Sequence, residues 1–198
     1  MANFLLELKQ CSAGLVSLDK EGDIPPLDEY IFKLMKSIQD YHPEVYQQLI
    51  PALNHLKNSL FPLLSGVETT FCHGDFHPLN ILWGKQTIRS VIDWEFTGFK
   101  PYLYDVANML GCLGMEHPNA LLYPISLEFI GQLRKNGFAN KQSWSSLIDL
   151  VLALRFAWLS EWFRKNDLEM IELEVDYIQL LLDQRFHLIK QWQIDTFK

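Results

Sequence analysis

Residues 71–95 restrict the fold of this chain more than any other segment, because they mix short apolar runs with polar turn residues. The segment reads FCHGDFHPLNILWGKQTIRSVIDWE and holds two histidines, two aspartates, one asparagine and one glutamate. Runs rich in β-forming residues occupy 69–72, 81–83 and 88–94, and glycine, proline or asparagine separates them. Three short strands are therefore predicted in a chain that otherwise follows helical periodicity.

The last two predicted strands form a β-hairpin around the turn Gly84-Lys85-Gln86. Asn80 directly precedes the first of them, and Asp93 lies near the end of the second. Because the two strands run antiparallel, both side chains are expected at the same end of the hairpin. Before it, Gly74 permits a turn that other residues resist, and Pro78 keeps the loop from becoming a helix.

Asp75 and Asn80 have the spacing D-x-x-x-x-N, which is the spacing of the protein-kinase catalytic loop. The aminoglycoside phosphotransferase and choline kinase superfamily has the signature HGDxHxxN, followed by a strand that ends in I-D-W/F-E. This chain resembles it with His73-Gly74-Asp75-Phe76-His77-Pro78-Leu79-Asn80 and with Ile92-Asp93-Trp94-Glu95. Every defined position of the signature is present and in order.

The resemblance implies a protein-kinase-like fold of the α+β class, predominantly α-helical, in which a small β-hairpin carries the catalytic and metal-binding loops. It implies that Asp75, in the catalytic loop 71–83, is the catalytic base that deprotonates an acceptor hydroxyl. It also implies that Asn80 and Asp93, the latter in the strand end 88–95, bind Mg²⁺. One amide, one carboxylate and phosphate oxygens suit this ion. ATP or GTP is the implied phosphoryl donor.

Two more residues are expected to support the loop. His73 braces it, according to the resemblance, and does not react. The segment Tyr104-Asp105-Val106-Ala107 resembles the D-L-A segment of the superfamily, whose aspartate holds the catalytic loop through hydrogen bonds. Asp105 is therefore expected to have a structural role.

Five residues are candidates for binding the acceptor. His77 and Glu95 are close enough in sequence to line the site. Trp158, Glu161 and Trp162 share a helix face by i, i+3 and i+4 spacing, and aromatic rings with a carboxylate bind cationic groups. Packing of the tryptophans in the core is the commoner explanation of such a face.

Other interpretations of the motif remain open. Taken singly, Asp75 fits a turn, Asn80 a strand-opening cap and Asp105 a helix N-cap. A different chemistry would use His73, Asp75 and His77 as the metal triad of a zinc hydrolase. That hypothesis needs further ligands, and the other histidines lie in unpatterned contexts.

Composition excludes several classes of function. With 198 residues and 48% apolar content, the chain can form one domain with a substantial core, over residues 1–198. The net charge of −7, without a cluster of lysine and arginine, argues against nucleic acid as a partner. Three cysteines without C-x-x-C spacing predict buried free thiols. No signal peptide or membrane-spanning run is evident, so a cytoplasmic protein without a membrane partner is expected.

Most of the chain reads as helix. Helical periodicity covers 4–18 and 44–64, and Pro25-Pro26 begins a helix that ends at His42-Pro43. After a predicted loop at 96–104, helices are expected from Asp105 to about Gly114, and over 118–136, 143–165 and 168–191. The segment 143–165 is apolar nearly all round, which predicts a central buried helix.

A kinase of this type also needs a glycine-rich loop and a strand lysine that bind the nucleotide phosphates. The sequence contains neither, so only the larger lobe of the family is expected here, without the nucleotide-clamping N-terminal lobe. Two functions follow as alternatives: phosphoryl transfer to a small-molecule hydroxyl or amino-alcohol when the missing lobe is supplied, or a non-catalytic binding or regulatory lobe. The apolar surface that would face the missing lobe predicts self-association.

Overall fold

The computed structural model describes residues 1–15, 26–85 and 87–194, and these residues are mainly helical. Their helices are α1 (Ala2–Cys11), α2 (Leu27–Tyr41), α3 (Pro43–Ser59), α4 (Phe61–Leu64), α5 (Tyr104–Glu116), α6 (Pro124–Lys135), α7 (Lys141–Ser145), α8 (Leu147–Lys165) and α9 (Leu168–Gln191). Short 3₁₀ helices lie at Pro78–Asn80 and Pro118–Leu122. The predicted α+β fold with a predominance of helix is confirmed.

In the described part of the chain, four short strands form two separate antiparallel pairs. Strands β2 (Ile81–Trp83) and β3 (Ile88–Val91) make the predicted hairpin, with Ile81 opposite Val91. Strand β1 (Thr69–Cys72) pairs with β4 (Gly98–Pro101). The prediction of a loop at 96–104 was therefore wrong for residues 98–101. Gly-Phe-Lys-Pro carries little strand signal of its own, and its extended conformation depends on pairing with β1.

Helix α8 is the centre of the core, as its uniform apolar character predicted. It packs against α5 and α9, and also against α2 and α3. Its buried residues lie on all sides: Leu147, Ile148, Leu150, Val151, Leu152, Ala153, Leu154, Arg155, Phe156 and Leu159. Helices α5 and α9 are thereby fixed relative to each other through α8, and α5 in turn contacts the 3₁₀ turn at Pro78–Asn80.

Three predicted helices are each interrupted, for local reasons. The helix at 44–64 ends at Ser59, because Pro62 has no backbone N–H with which to continue it. The helix at 118–136 divides at Tyr123, which is extended before Pro124, as residues before proline usually are. The helix at 143–165 divides at Ser146, whose hydroxyl bonds back to the carbonyl of Gln142.

Element ends agree with the predictions elsewhere, with two exceptions. The bounds of α9 and the break at His42-Pro43 are confirmed, and α6 ends before Gly137, which has the left-handed φ of 63°. Helix α1 spans Ala2–Cys11 rather than 4–18, and residues 16–18 lie outside the described part of the chain, as does most of the polar loop predicted before α2. Cys72 is buried, Cys112 is half-buried and Cys11 is exposed, so the prediction of buried thiols was right for Cys72 and wrong for Cys11. Among the described residues, no helix is long and apolar enough to cross a bilayer.

Candidate functional site

The open end of the β2–β3 hairpin brings the two halves of the sequence motif together. Asn80 closes the 3₁₀ turn at Pro78–Asn80, and its carbonyl accepts a hydrogen bond from the backbone N–H of Ile92 at 3.0 Å. Asp93 follows Ile92 with a left-handed φ of 65°, and the strand ends at Val91, three residues earlier than the pattern predicted. Aspartate tolerates this conformation better than most residues. Asn80 and Asp93 therefore lie at the same end of the hairpin.

The side chain of Asp75 is the centre of a hydrogen-bond network. Its Oδ2 accepts from Asn80 Nδ2 at 3.0 Å and lies 3.3 Å from His77 Nε2. Its Oδ1 accepts from Asn108 Nδ2 at 3.3 Å. The Asn80 amide also donates to the Asp75 carbonyl at 2.9 Å, so it fixes backbone and side chain together. The carboxylate still has 21% exposure, so a ligand can reach it.

These contacts determine the charge of Asp75. Burial alone would raise the pKa of the carboxyl group, but hydrogen bonds from His77, Asn108 and Asn80 outweigh it and lower the pKa below the ordinary value. The carboxylate is consequently ionised at neutral pH. An ionised carboxylate at this position can accept a proton from a hydroxyl group.

His73 connects the loop to the hairpin. Its Nε2 lies 3.0 Å from the carbonyl of Ile92, and its Nδ1 accepts from the backbone N–H of Asp75 at 3.3 Å. The ring is fully buried and packs against Trp94, with 4.6 Å between ring centroids. Both nitrogens of His73 are engaged in these contacts. That geometry argues against the zinc triad of His73, Asp75 and His77, and no group of three His, Cys, Asp or Glu side chains suited to a metal occurs in the described segments.

Asp105 holds the start of the loop. It lies in the first turn of α5 and is buried, and its Oδ2 and Oδ1 accept from the backbone N–H groups of His73 and Gly74 at 2.8 and 2.9 Å. Gly74 has a φ of 87°, and a Cβ there would lie 2.0 Å from the carbonyl oxygen of Phe96. Only glycine fits this turn. Asp105 thus bonds to the loop backbone and is not the N-cap of α5, a position that Leu103 occupies.

On the other side of the loop, helix α1 supports Phe76. The Phe76 side chain is fully buried and stacks on Phe4 of α1, with 5.3 Å between ring centroids. The apolar residue between Asp75 and His77 therefore points into the core. With Asp105 on one side and α1 on the other, the loop is held by elements far apart in sequence.

Of the residues predicted to bind the acceptor, His77 and Trp158 lie beside Asp75, whereas Trp162 and Glu161 have partners elsewhere. Trp158 lies beside the site, with its ring 5.7 Å from that of His77 and its indole N–H donating to Asn108 at 3.3 Å. Trp162 packs on Trp158, but its N–H donates to Glu174. Glu161 is paired with two basic neighbours, Arg164 at 2.6 Å and Lys165 at 3.1 Å. Glu95 is exposed in the turn after Asp93.

Two side chains with oxygen atoms that could bind a hard cation, Asn80 and Asp93, lie at the hairpin end. A carboxylate only accepts hydrogen bonds, so Asn80 must turn its amide nitrogen to Asp75 and its Oδ1 away. Among the described residues, no donor reaches that Oδ1, and the exposed carboxylate of Asp93 has no hydrogen bond or ion pair. An amide oxygen and a carboxylate are ligands that Mg²⁺ accepts, together with water and phosphate oxygens. The residues at this end therefore fit Mg²⁺ in their chemistry.

Sequence reasoning missed Asn108 and the pair of Arg155 and Glu174. Asn108 follows Asp105 by three positions, so both occupy one face of α5, and that spacing was the available signal. Arg155 and Glu174 are buried and joined by two hydrogen bonds of 2.6 Å between α8 and α9. No local pattern relates those two residues.

Comparisons with known proteins agree with the fold. The family model for the phosphotransferase enzyme family (APH) matches residues 1–131. The GDP complex of wild-type aminoglycoside 2'-phosphotransferase-IIIa aligns with a TM-score of 0.61 at 17% identity, over 93% of this chain and 60% of that chain. The GDP and kanamycin complex of APH(2")-IIIa gives a TM-score of 0.54 at 17% identity, over 94% and 60%. No curated protein gives a significant match.

The two kinds of match differ in what they establish. At this low identity, the solved structures show the kinase-like fold alone, and the chain spans 60% of their length. The family model covers 131 of the 198 residues, including the whole stretch from β1 to Asp105. The chain therefore belongs to the phosphotransferase enzyme family, as the resemblance of its motif predicted.

Proposed function

We propose that the protein transfers the terminal phosphoryl group of ATP or GTP to a hydroxyl group of a small molecule, and that this chain is its larger, catalytic lobe. The observation that carries this proposal is the setting of Asp75. Its partly exposed carboxylate is fixed by Asn80 and Asn108 and approached by His77, beside the free oxygen donors of Asn80 and Asp93. A carboxylate so placed accepts the proton of an attacking hydroxyl, which is its role in kinase catalytic loops.

The roles of the other residues follow from their contacts. Asn80 would hold Mg²⁺ through its amide oxygen and Asp93 through its carboxylate. When bound, the ion would neutralise negative charge on the phosphates. His73 and Asp105 hold the loop backbone, so that Asp75 keeps one orientation toward an acceptor. Because phosphoryl transfer depends mainly on positioning and electrostatics, these supports matter as much as the base.

The neighbouring structures suggest both substrates. They were solved with GDP, which supports a purine nucleoside triphosphate as donor, and one of them also with kanamycin, an amino compound rich in hydroxyl groups. An acceptor of this class, a hydroxylated amine as in aminoglycosides or amino-alcohols such as choline, would pack its carbon skeleton on Trp158 and place a hydroxyl at Asp75. His77, Glu95, Glu161 and Trp162 complete the candidate wall, although Glu161 shares its charge with Arg164 and Lys165.

The proposal is tested with the protein that contains this chain. It is incubated with ATP or GTP, Mg²⁺ and a panel of amino sugars, amino-alcohols and simple polyols, and phosphorylated products are detected by mass spectrometry. Asp75→Asn is expected to lower kcat by about 10²–10⁴-fold, the usual contribution of a general base. Asp40→Asn is the matched control, because Asp40 is exposed on α2 and contacts only Lys36 among the described residues.

Metal dependence gives a second measurement. Asp93→Asn and Asn80→Leu are each expected to raise the Mg²⁺ concentration required for half-maximal activity, since each removes an oxygen ligand or its charge. Full activity of Asp75→Asn would contradict the proposal. So would activity that persists in the presence of a chelator and does not change when Mg²⁺ is added.

The second candidate function is a binding or regulatory lobe without catalysis. The residues of this chain include no glycine-rich loop and no strand lysine for the phosphates, so nucleotide binding by the chain itself has to be measured. In either case, exposed apolar side chains surround the hairpin: Leu79, Leu82, Trp83, Ile92, Trp94 and Phe96. We propose that this face contacts another protein surface. When the chain is isolated, that surface would belong to a second copy of the chain.

Nucleotide binding distinguishes the two functions. Titration of the isolated chain with ATP, GTP and Mg²⁺ by calorimetry is expected to detect binding if the lobe is catalytic, and none at millimolar nucleotide if it is regulatory. Self-association is measured in parallel by analytical ultracentrifugation. Trp83→Ser is expected to lower it if the hairpin face is the interface.

A further inference from the structure

Asn108 joins the candidate base to the aromatic residue beside it. It lies on α5, one turn after Asp105, and only 5% of its surface is exposed. Its Nδ2 donates to Asp75 Oδ1 at 3.3 Å, and its Oδ1 accepts from the indole Nε1 of Trp158 at 3.3 Å. A single amide group therefore connects side chains from the catalytic loop, α5 and α8.

The two bonds allow only one orientation of the amide. The Asp75 carboxylate can only accept hydrogen bonds and the Trp158 indole can only donate one. If the amide of Asn108 were turned over, its NH₂ group would face the indole N–H and its oxygen would face the carboxylate. Neither arrangement forms a bond, so the orientation is fixed by both partners at once.

Trp158 is itself held from several directions. Its ring lies 5.6 Å from the guanidinium carbon of Arg155 and 5.9 Å from the ring of Trp162. Arg155 is in turn fixed by Glu174 through two bonds of 2.6 Å. The buried pair between α8 and α9 thus lies against the Trp158 ring, and Asn108 connects the indole N–H of that ring to Asp75.

We propose that Asn108 is a positioning residue that keeps the Asp75 carboxylate and the ring of Trp158 in a fixed relation. This inference rests on the proposed function, in which one acceptor molecule contacts both groups. An acceptor that packs on Trp158 then presents its hydroxyl to a carboxylate whose Oδ1 is already directed. Asn80 and His77 contact only Oδ2, so Asn108 is the described side chain that controls the other oxygen.

The first experiment measures kcat and KM for two substitutions at Asn108. Asn108→Ala removes both bonds and is expected to lower kcat about tenfold with little change in KM for the nucleotide, as loss of orientation does. Asn108→Asp keeps an oxygen for Trp158 but places a second carboxylate against Asp75. It is expected to lower kcat at least as much.

A double-mutant cycle separates positioning from simple loss of stability. Trp158→Phe keeps a ring but removes the N–H donor, and is expected to lower kcat a few-fold in the wild-type background and less than twofold in Asn108→Ala. Two controls match the chemistry of the changes. Asn58→Ala removes an exposed helical asparagine, and Trp192→Phe removes an indole bond to the carbonyl of Leu121. Both are expected to leave kcat unchanged.

A readout without activity tests the hydrogen-bonded coupling through Asn108 separately from the proposed function. In ¹H–¹⁵N spectra, the indole signal that disappears in Trp158→Phe is assigned to Trp158. Asp75→Ala is expected to shift this signal in the wild-type background and to leave it unmoved in Asn108→Ala. A signal that is unaffected in both backgrounds, or shifted equally in both, would overturn the role of Asn108.

The two proposals can fail separately. If no acceptor is phosphorylated but the indole shift depends on Asn108, the proposed function fails and the structural coupling remains. If phosphoryl transfer occurs and Asn108→Ala retains the wild-type kcat, the positioning role is overturned while the function stands.

Discussion

The backbone N–H of Gly74 donates to the carboxylate of Asp105 at 2.9 Å, across 31 residues of sequence. The second carboxylate oxygen accepts from the preceding residue, His73, at 2.8 Å. Burial raises the pKa of Asp105, whereas these two donors oppose the rise by favouring the charged form. One carboxylate therefore satisfies both N–H groups of a tight turn that has no strand or helix partner for them.

Asp105→Asn is expected to destabilise the fold and to loosen the loop. An amide has one accepting oxygen, so one of the two N–H groups would face an NH₂ group and lose its partner. The cost of such a group is about 1–3 kcal/mol in the free energy of unfolding. Urea denaturation measures it, and hydrogen exchange is expected to show faster exchange at His73 and Gly74. Unchanged protection of both amides would contradict this prediction.

Gly74→Ala is expected to disrupt the turn that precedes Asp75, whereas a substitution of a second glycine, Gly131, is expected to be harmless. A Cβ at residue 74 would lie 2.0 Å from the Phe96 carbonyl oxygen, and the φ of 87° is unfavourable for alanine. Gly131 is the control, since it lies in α6 and a Cβ there meets nothing within 4 Å. Gly131→Ala is expected to stabilise by about 0.5–1 kcal/mol, as alanine does in helices. Thermal unfolding of both variants tests the difference in sign.

The sequence predicted the local structure of the candidate site where short-range spacing encodes it. Gly74 and Pro78 define the turns, and the strands around Gly84 form a hairpin whose open end must hold Asn80 and Asp93 together. The family resemblance added Asp105, because its place after the hairpin is itself a motif. These residues are all within about one supersecondary unit, where local spacing determines geometry.

The missed parts depend on tertiary contacts. Strand β4 is extended only because β1 pairs with it, and Asn108 meets Asp75 only once α5 has packed against the loop. Arg155 had several acidic residues available in sequence, and the one it contacts, Glu174, lies on the next helix. A charged residue in an apolar helix shows that a partner is needed but does not identify it.

Glu174→Gln is expected to be strongly destabilising. Arg155 Nε and Nη2 each donate to the Glu174 carboxylate at 2.6 Å, and both side chains are buried. Removing one charge leaves a buried guanidinium without compensation, which costs about 3–5 kcal/mol in the free energy of unfolding. Chemical denaturation gives this value. The exposed pair of Lys36 and Asp40 is the comparison, and Asp40→Ala is expected to cost less than about 1 kcal/mol.

A double substitution tests whether the cost comes from the unpaired charge. Arg155→Met combined with Glu174→Leu removes both charges and keeps apolar volume, which is often close to neutral for a buried pair. The double variant is expected to be more stable than Glu174→Leu alone. If instead the losses in the free energy of unfolding from the two single substitutions add up in the double variant, the unpaired charge of Arg155 is not the cause of the destabilisation.

The pKa of the Glu161 carboxyl group is expected to lie below the ordinary value for glutamate. Hydrogen bonds from Arg164 and then Lys165 lower the pKa of its carboxyl group to about 2. Because the pKa in the folded state is below the ordinary value of 4.5, its stabilising effect is present above that value and is lost as the pH falls toward 2. The titration of the Glu161 carboxyl ¹³C shift should therefore have its midpoint near pH 2.

Two changes should raise the midpoint of the Glu161 titration: the substitution Arg164→Gln and high salt. Lys190→Gln, which removes an equal charge from α9, is the control and should leave the midpoint unchanged. A wild-type midpoint near the ordinary value would mean that the fork with Arg164 does not persist in solution, and Glu161 would then be free to meet a cationic acceptor.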